Sequence, residues 1–189
     1  MTSRTERTRA ALQGAALQLF TERGFDHVTV EEVATAAGVS HMTFFRYFPT
    51  KEAVVLDDPY DPVLGDAVRA QPAALSPLER VRRALLMAWG TLPEPGEDET
   101  RARVALVAGH DGLRAKAWAN NQRTQDVLAD ALVEDGVPPL EAQVAAGACL
   151  GALMAALLDW GAGGEGGLGD RISSALGQLA PPPIAEGVP

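Results

Sequence analysis

The sequence has few of the residues on which many catalytic and metal sites depend. Its 189 residues include one cysteine, Cys149, and three widely separated histidines, His27, His41 and His110. One cysteine excludes an internal disulfide and fits a reducing compartment. No two histidines have metal-ligand spacing, and no nucleophile elbow, phosphate-binding glycine loop or dinucleotide fingerprint is present. We therefore expect no catalytic residue, no metal and no cofactor.

Aromatic and β-branched residues are also scarce. Aromatic residues make up 5% of the chain, whereas 47% of all residues are hydrophobic and alanine and leucine dominate. Alanine and leucine favour helices, and glycine and proline cluster between the Ala/Leu-rich blocks. This pattern predicts an all-α protein with a sizeable buried core.

Long apolar runs are limited to one segment, Val144 to Leu158, of about fifteen residues, whereas a membrane span needs about 20. The N-terminus is polar and basic, and no apolar core of the signal-peptide type follows it. We therefore expect a cytoplasmic protein with no membrane segment, in which this run forms a buried helix.

Basic residues are outnumbered, since 16 lysines and arginines stand against 25 aspartates and glutamates. Residues 1–51 hold six basic and five acidic residues, a net charge of +1, and the remainder holds ten and twenty, a net charge of −10. An acidic body with a near-neutral head is compatible with DNA binding if the basic groups share one face. Charge alone neither supports nor excludes a nucleic-acid partner.

Capping and stop signals divide the first part of the chain into short helices. Gly24 follows a basic residue, as expected at a helix C-terminus. Thr29 and Glu32 have capping-box spacing, and Ser40 provides a further N-cap. The predicted helices are Arg4–Arg23, Val30–Ala36, His41–Phe48, which Pro49 ends, and one from Lys51 onward, which Thr50 caps.

The remainder predicts a second, larger helical region. Residues 57–62 contain two prolines, which cannot both lie inside a helix, so we predict a loop or kink and place the domain boundary there. This gives a head at residues 1–56, a body at 57–180 and a disordered tail at 181–189. Body helices are predicted at Pro77–Leu92, Thr100–Gly109, Leu113–Glu134, Leu140–Trp160 and Asp170–Leu179, with a Pro/Glu-rich loop at 93–99 and a flexible glycine link at 161–169.

Two short helices joined by a tight glycine turn are the physical core of a helix-turn-helix. Ala34 supplies the small residue that a close helix crossing needs, and Gly38 tolerates the positive φ of the turn. The predicted apolar packing of this head comes from Phe20, Val33, Val39, Phe44 and Phe48.

The run from Thr29 to Glu52 (TVEEVATAAGVSHMTFFRYFPTKE) resembles the signature of the TetR family of bacterial repressors. In that family a threonine opens the second helix, Ala-Gly-Val-Ser forms the turn, and Lys-Glu follows an aromatic-rich third helix. About a quarter of the chain, from Arg9 to Val55, carries the match. The residues in register are Ala34, Gly38, Val39, Ser40, Thr43, Phe48, Lys51 and Glu52.

The resemblance implies an N-terminal three-helix DNA-binding domain with a helix-turn-helix, followed by a helical ligand-binding and dimerisation domain. It also implies contacts to base edges from the start of the recognition helix and contacts to phosphates from hydroxyl and basic groups. The implied base-edge residues are His41, Met42 and Thr43, beside Ser40, and the implied phosphate residues are Thr29, Arg46, Tyr47 and Lys51. The chain departs from the common pattern at Phe45, where many members have tyrosine, and at Met42, where glycine is frequent.

For the body, the resemblance implies a ligand pocket and a two-fold dimer interface. Leu140–Trp160 is rich in small residues that allow close helix approach, and we expect it to form a four-helix bundle with Asp170–Leu179 and their copies. Cys149 is expected to be a small buried residue in this interface. Four residues lie on helices that line the pocket in this family, although each suits a core equally well: Trp89, His110, Trp118 and Asn121.

A second resemblance is to a TetR subgroup with an acyl-CoA-like ligand-binding domain. It depends on Phe44–Glu52, on residues 57–62 and on the short acidic body. An acidic body suits a polyanionic coenzyme only if basic residues converge on one mouth. The basic residues that could do so are Arg80, Arg82, Arg83, Arg101, Arg103, Arg114 and Lys116.

Together these features predict a transcriptional repressor that binds a palindromic double-stranded DNA operator as a homodimer. A small-molecule effector, acyl-CoA-like or another apolar ligand, would release it. The alternative is a helical protein-interaction adaptor without sequence-specific DNA binding, which would explain the acidic body but not the helix-turn-helix signature.

Overall fold

The computed structural model describes residues 4–57, 61–91 and 97–180. Within these ranges the chain is helical and has no strand, which confirms the all-α prediction. A 3-10 turn at Phe25–His27 follows the first helix. The helices are α1 (Arg4–Arg23), α2 (Val30–Ala36), α3 (His41–Tyr47), α4 (Ala53–Leu56), α5 (Asp61–Arg69), α6 (Pro77–Thr91), α7 (Glu97–Gly109), α8 (Asp111–Glu134), α9 (Pro139–Gly161) and α10 (Leu168–Gly177).

Local capping explains why the helix-turn-helix forms where it does. The Thr29 hydroxyl accepts a hydrogen bond from the Glu32 amide, and the Glu32 carboxylate accepts one from the Thr29 amide, so the predicted capping box is confirmed. Ser40 caps α3 by accepting from the Thr43 amide. Gly38 has a φ of +69°, the left-handed conformation that the turn requires.

The chain folds into two compact units. The first contains α1 to α4, α7, α8 as far as Gln122, and the segment from Leu158 to Gly164. Its core is built largely from the predicted head residues, joined by Leu113 from α8. The buried members are Leu12, Ala16, Phe20, Phe25, Val28, Val33, Ala34, Phe44, Phe48, Val54, Val55 and Leu113, with Val39 partly buried against them.

The end of α9 is anchored to α7 inside the first unit. The Arg101 guanidinium lies 4.1 Å from the centroid of the Trp160 ring and donates to the Trp160 carbonyl oxygen at 3.2 Å. Gly161 lies so close to α7 that an added Cβ would be 2.5 Å from the Val104 Cγ1 atom. This crossing therefore requires glycine.

The second unit contains α5, α6, α8 from Arg123, α9 as far as Leu157, and α10. Arg80 on α6 is buried, and its guanidinium donates to the Val68 carbonyl oxygen and pairs with the Asp135 carboxylate. Arg69 on α5 pairs with Glu134 at 2.8 Å. These pairs tie α5 and α6 to the C-terminal end of α8, while α10 buries Leu168, Ile172 and Leu176.

α9 is the most apolar helix that the structure describes. Its length and composition would allow it to cross a membrane. Of its most apolar 18-residue stretch, 33% is buried. The core helix of a soluble protein can pass the same test, so this property by itself is weak evidence for a span. The predicted absence of a membrane segment stays a prediction.

Several predicted boundaries require correction. Residues 61 and 62, predicted as part of a loop or kink, begin α5 instead, because proline is compatible with the first turn of a helix. α7 starts at Glu97 rather than Thr100, and α10 at Leu168, which shortens the predicted glycine link. Residues 58–60, 92–96 and the predicted disordered tail at 181–189 lie outside the described residues. The domain boundary near residue 57 stays a prediction.

Candidate nucleic-acid interface

α3 has one buried and one exposed face. Phe44 is fully buried, and its ring packs 5.8 Å from that of Phe48, measured between centroids. The opposite face carries Met42, 77% exposed, and Phe45, 41% exposed, next to the exposed Arg46. The aromatic core thus fixes which side chains of this short helix reach solvent.

Hydroxyl groups lie at the start of α3. The Ser40 and Thr43 hydroxyl oxygens are 2.9 Å apart, and the Ser40 oxygen also caps the helix. Ser40 therefore contributes to helix formation as well as to the predicted DNA-contacting surface. Ser40 is exposed and Thr43 is half-buried, so solvent reaches both residues.

Thr29, the predicted phosphate contact at the start of α2, belongs to a charged network. Its hydroxyl lies 3.0 Å from the Glu32 Oε2 atom, and Arg23 from α1 pairs with the same carboxylate at 2.8 Å. The hydrogen bond from the Thr29 amide, followed by the bond from Arg23, lowers the pKa of Glu32 to about 2. The carboxylate is therefore ionised and is neutralised by Arg23, which the sequence analysis did not single out.

His41, a predicted base-edge residue, has two neighbours. Its Nε2 atom lies 3.0 Å from Glu31 Oε1 on α2. Its ring meets the ring of Phe45 edge-on, with 4.8 Å between centroids. The position of Glu31 was not anticipated, because the pairing joins two helices and leaves no periodic signal in the sequence.

Tyr47 and Arg46 lie together at the end of α3. The Arg46 guanidinium is 5.4 Å from the centroid of the Tyr47 ring. Burial raises the pKa of Tyr47, but hydrogen bonds with Thr8, Thr5 and Arg46 outweigh it and hold the pKa below the ordinary value. The tyrosine hydroxyl thus lies near the N-terminal part of α1 and beside an exposed cation.

Lys51, another predicted phosphate contact, points elsewhere in the structure. Its ammonium donates to the Phe25 carbonyl oxygen and lies 4.2 Å from the centroid of the Phe25 ring. A phosphate contact would require the side chain to leave these partners. The role of Lys51 in DNA binding stays a prediction, while its contact with the 3-10 turn is a structural role that sequence reasoning missed.

The four predicted ligand residues occupy different surroundings. Trp118 is 52% exposed, and Asn121 and Trp89 are half-buried. A shallow cleft in the first unit contains none of the four residues. It is lined by Gln13, Leu17, Val54, Val55, Glu99 and Arg103.

His110 is engaged with the head. Its Nε2 atom lies 3.2 Å from both carboxylate oxygens of Asp26, and its ring meets Phe25 edge-on at 5.0 Å. Its Nδ1 atom accepts from the Leu113 amide and so caps the start of α8. These contacts give His110 a structural role within the first unit, and a ligand contact stays a prediction.

Most of the basic residues that a coenzyme mouth would need have partners of their own. In the second unit Arg82 and Arg83 both bind Glu79, at 2.7 and 2.6 Å. In the first unit Lys116 pairs with Glu52 at 2.9 Å. Arg114 pairs with Asp111, while Arg80 and Arg101 have the partners described above. Each of these cations is already neutralised or bound to carbonyl oxygen.

Cys149 is buried, and burial raises the pKa of its thiol to about 12. The thiol is therefore protonated at neutral pH and suits packing rather than reaction. Within the described residues, no group of three or more histidine, cysteine, aspartate or glutamate side chains is placed to hold a metal ion.

Comparison with known proteins identifies the family of both parts of the chain. The sequence model described as bacterial regulatory proteins of the TetR family matches residues 14–57, and that of the MftR C-terminal domain matches residues 75–182. The HTH-type transcriptional regulator TcmR of Streptomyces glaucescens is 34% identical over 129 residues, which cover 67% of this chain and 53% of that protein. EthR of Mycolicibacterium smegmatis is 37% identical over 82 residues, 40% of this chain and 37% of that protein.

The chain thus spans about half the length of the curated relative TcmR. Among solved structures, Thermus thermophilus FadR, described as a TetR-family transcriptional repressor in complex with lauroyl-CoA, has a TM-score of 0.54 and 29% identity. That alignment covers 96% of this chain and 97% of FadR. Because the MftR C-terminal match alone spans more than half of the sequence and the N-terminal match covers the helix-turn-helix, the chain belongs to the TetR family of bacterial regulatory proteins.

Proposed function

We propose that this protein is a ligand-controlled transcriptional repressor that binds a palindromic DNA operator as a homodimer. The observation that carries the proposal is the exposed face of α3, which is held by a capped turn and an aromatic core. Two such helices, one per subunit, would enter successive major grooves about one helical turn apart. The proposal places DNA binding in residues 1–56 and effector binding and dimerisation in 57–180.

The chemistry of this face suits a duplex. Met42 can make apolar contact with a thymine methyl group, and the hydroxyls of Ser40 and Thr43 can bond to base edges or phosphates. Arg46 and Tyr47 are placed at the far end of α3, where hydrogen bonds to phosphate would fix the register. Thr29 completes the set at the start of α2. A protein-interaction adaptor would need none of these donors in this arrangement.

Arg46→Ala tests the DNA interface in mobility-shift titrations against DNA that flanks the protein's own gene. We expect weaker binding to all sequences alike, and a salt slope reduced by about 1 for each phosphate that the arginine no longer neutralises. Arg83→Ala, which removes the same charge from α6, is the matched control and should leave both quantities unchanged. If Arg46→Ala altered only base preference, the phosphate role would be wrong, and wild-type binding without any sequence preference would favour the adaptor.

The dimer interface is proposed to comprise α9 and α10. α9 leaves Leu140 and Val144 more than half exposed in the single chain, and its small residues allow a second helix to approach closely. Buried apolar helices of this kind are common at oligomer interfaces. Sedimentation velocity at micromolar concentration should give a dimer, and a monomer would contradict this part of the proposal.

The effector is proposed to be a small apolar or acyl-CoA-like molecule that binds the body and releases the operator. The FadR structure with lauroyl-CoA supports the acyl-CoA class. Most of the basic residues that could bind a coenzyme already have partners, which favours ligands that need few cationic contacts. Adding lauroyl-CoA, lauric acid or coenzyme A alone to the mobility shift separates these classes, and release by coenzyme A alone would contradict an apolar effector. We further propose that the protein works in the cytoplasm and performs no catalysis.

A further inference from the structure

The pair formed by Glu31 and His41 lies beside the proposed base-reading surface. Glu31 is in the first turn of α2 and His41 is the first residue of α3, and the two side chains meet at 3.0 Å. The exposed fractions of these side chains are 67% and 45%. Phe45, one turn further along α3, contacts the same imidazole from its edge. The ring therefore has a polar contact on α2 and an aromatic contact on α3.

Folding stability does not explain this pair. Exposed ion pairs contribute little to stability, because water and salt screen both charges. The start of α2 already has its capping box from Thr29 and Glu32. A carboxylate in the first turn also interacts favourably with the helix dipole, and that effect needs no histidine. The alternative role for Glu31 is therefore stabilisation of α2 through the helix dipole, and it can be tested separately from the contact with His41.

The chemistry of the contact restricts the imidazole. An ionised carboxylate only accepts hydrogen bonds, so the proton of the His41–Glu31 bond must be on Nε2. Within the part of the chain that the structure describes, no hydrogen bond engages Nδ1 of His41. A histidine without such a partner could present either nitrogen to a base, and so could accept from or donate to several base edges. The carboxylate places the proton of this bond on Nε2 and leaves Nδ1 as the ring nitrogen that can meet a base.

We propose that Glu31 is a positioning residue that fixes the proton and orientation of the His41 ring, so that His41 discriminates one base pair in each half-site. The inference rests on the proposed function, since it needs a recognition helix in the major groove. A carboxylate at this surface also repels phosphates. Glu31 therefore lowers affinity for DNA in general while it raises discrimination between sequences, and these opposite effects distinguish positioning from helix stabilisation.

The test measures affinities of the full-length protein for its operator, for single base-pair variants of it and for an unrelated duplex. The proteins are wild type, Glu31→Ala, Glu31→Gln, His41→Ala and the double variant Glu31→Ala/His41→Ala. Glu22→Ala, which removes one exposed carboxylate from α1, is the charge control. Circular dichroism verifies that each variant keeps its helical content.

Glu31→Ala and His41→Ala should each reduce discrimination at the same base pair, by roughly fivefold or more, since removing a hydrogen bond to a base edge costs about that much. The double variant should lose no more than either single variant. Glu31→Ala should also bind the unrelated duplex more tightly than wild type does. Glu31→Gln should keep only part of the discrimination, because its amide oxygen can still accept from Nε2 but its amide nitrogen can also donate to an unprotonated Nε2.

The inference is overturned if Glu31→Ala leaves discrimination unchanged, or if its effect persists in full when His41 is absent. It is also overturned if Glu22→Ala reduces discrimination as much as Glu31→Ala does, because the loss of a negative charge rather than positioning would then explain the result. A wild-type protein that does not discriminate between operator and unrelated DNA would instead refute the proposed function itself. The two failures are therefore distinguishable in one set of titrations.

Discussion

The helices α3 and α9 both leave large apolar side chains in solvent, but their surroundings differ. On α3, Met42 is 77% exposed, and its neighbours are hydroxyls, an imidazole and a guanidinium. On α9, Leu140 is 76% exposed, and the segment 144–158 has no charged residue at all. Isolated apolar groups among donors suit a polar partner such as a duplex, whereas a continuous apolar face suits another protein surface. Exposure alone therefore does not identify the partner; the neighbouring polar groups do.

The same contrast exists within α3 between two adjacent residues. Phe44 and Phe45 are chemically identical, but the first is fully buried and the second is 41% exposed. Phe44→Ala should destabilise the first unit by about 3–5 kcal/mol, because it removes a ring from a packed aromatic core. Phe45→Ala should change stability by less than about 1 kcal/mol. Thermal unfolding followed by circular dichroism measures both, and equal losses would show that the outer face of α3 is also packed in solution.

The sequence predicted the head better than the rest of the first unit, for physical reasons. The capping box, the Ser40 cap and the turn at Gly38 depend on residues close together in the chain, so their patterns are local and readable. The contact between His110 and Asp26 joins residues 84 positions apart. No periodicity or capping rule encodes such a pair, so the sequence suggested a ligand role for His110 and did not suggest its place against the head.

The sequence also predicted only part of the candidate site. The register of the helix-turn-helix signature placed His41, Met42 and Arg46 on the exposed part of α3. It gave no sign that Glu31 holds His41 or that Lys51 lies against Phe25, because those contacts depend on how elements pack. α5 was missed for another reason. The two prolines of residues 57–62 look like a helix break, although the second, Pro62, lies in the first turn of the helix.

Two glycines of α9 differ in how closely other atoms pack around them. At Gly161 an added Cβ would lie 2.5 Å from Val104 Cγ1 and 3.0 Å from the Val104 carbonyl carbon, whereas at Gly151 nothing lies within 4 Å. Gly161→Ala should therefore cost about 1–3 kcal/mol through overpacking against α7. Gly151→Ala should be neutral or stabilise the helix by up to about 1 kcal/mol. Chemical denaturation measures both free energies of unfolding.

Gly151→Ala also tests the partner proposed for α9. If this helix packs against its copy across a two-fold axis, a methyl group at Gly151 should weaken the dimer while leaving the folded chain intact. Sedimentation velocity of the variant measures that weakening against wild type. A dimer of unchanged strength would place Gly151 outside the contact. The surface of α9 proposed for the dimer would then be limited to the start of the helix.

The smallest effect is expected from partly exposed ion pairs, one in each unit. Lys116 pairs with Glu52 in the first unit and Arg69 with Glu134 in the second. Burial raises the pKa of Glu52, but the contact with Lys116, together with hydrogen bonds from the Glu52 amide and Thr50, outweighs it, so the pKa lies below its ordinary value of 4.5. The pair's contribution is therefore present at neutral pH and is lost as the pH falls through this lowered pKa.

Lys116→Met should consequently lower the free energy of unfolding by no more than about 1 kcal/mol at pH 7, because the pair is partly exposed. The difference from wild type should shrink in acid, where Glu52 becomes protonated in both proteins. Arg69→Met is the matched change in the second unit and should have a similarly small effect. Denaturation at several pH values compares them. If Lys116→Met alone lowered the free energy of unfolding by well above about 1 kcal/mol, this pair would hold α8 against the head. The first unit would then depend on charge as well as on its aromatic core.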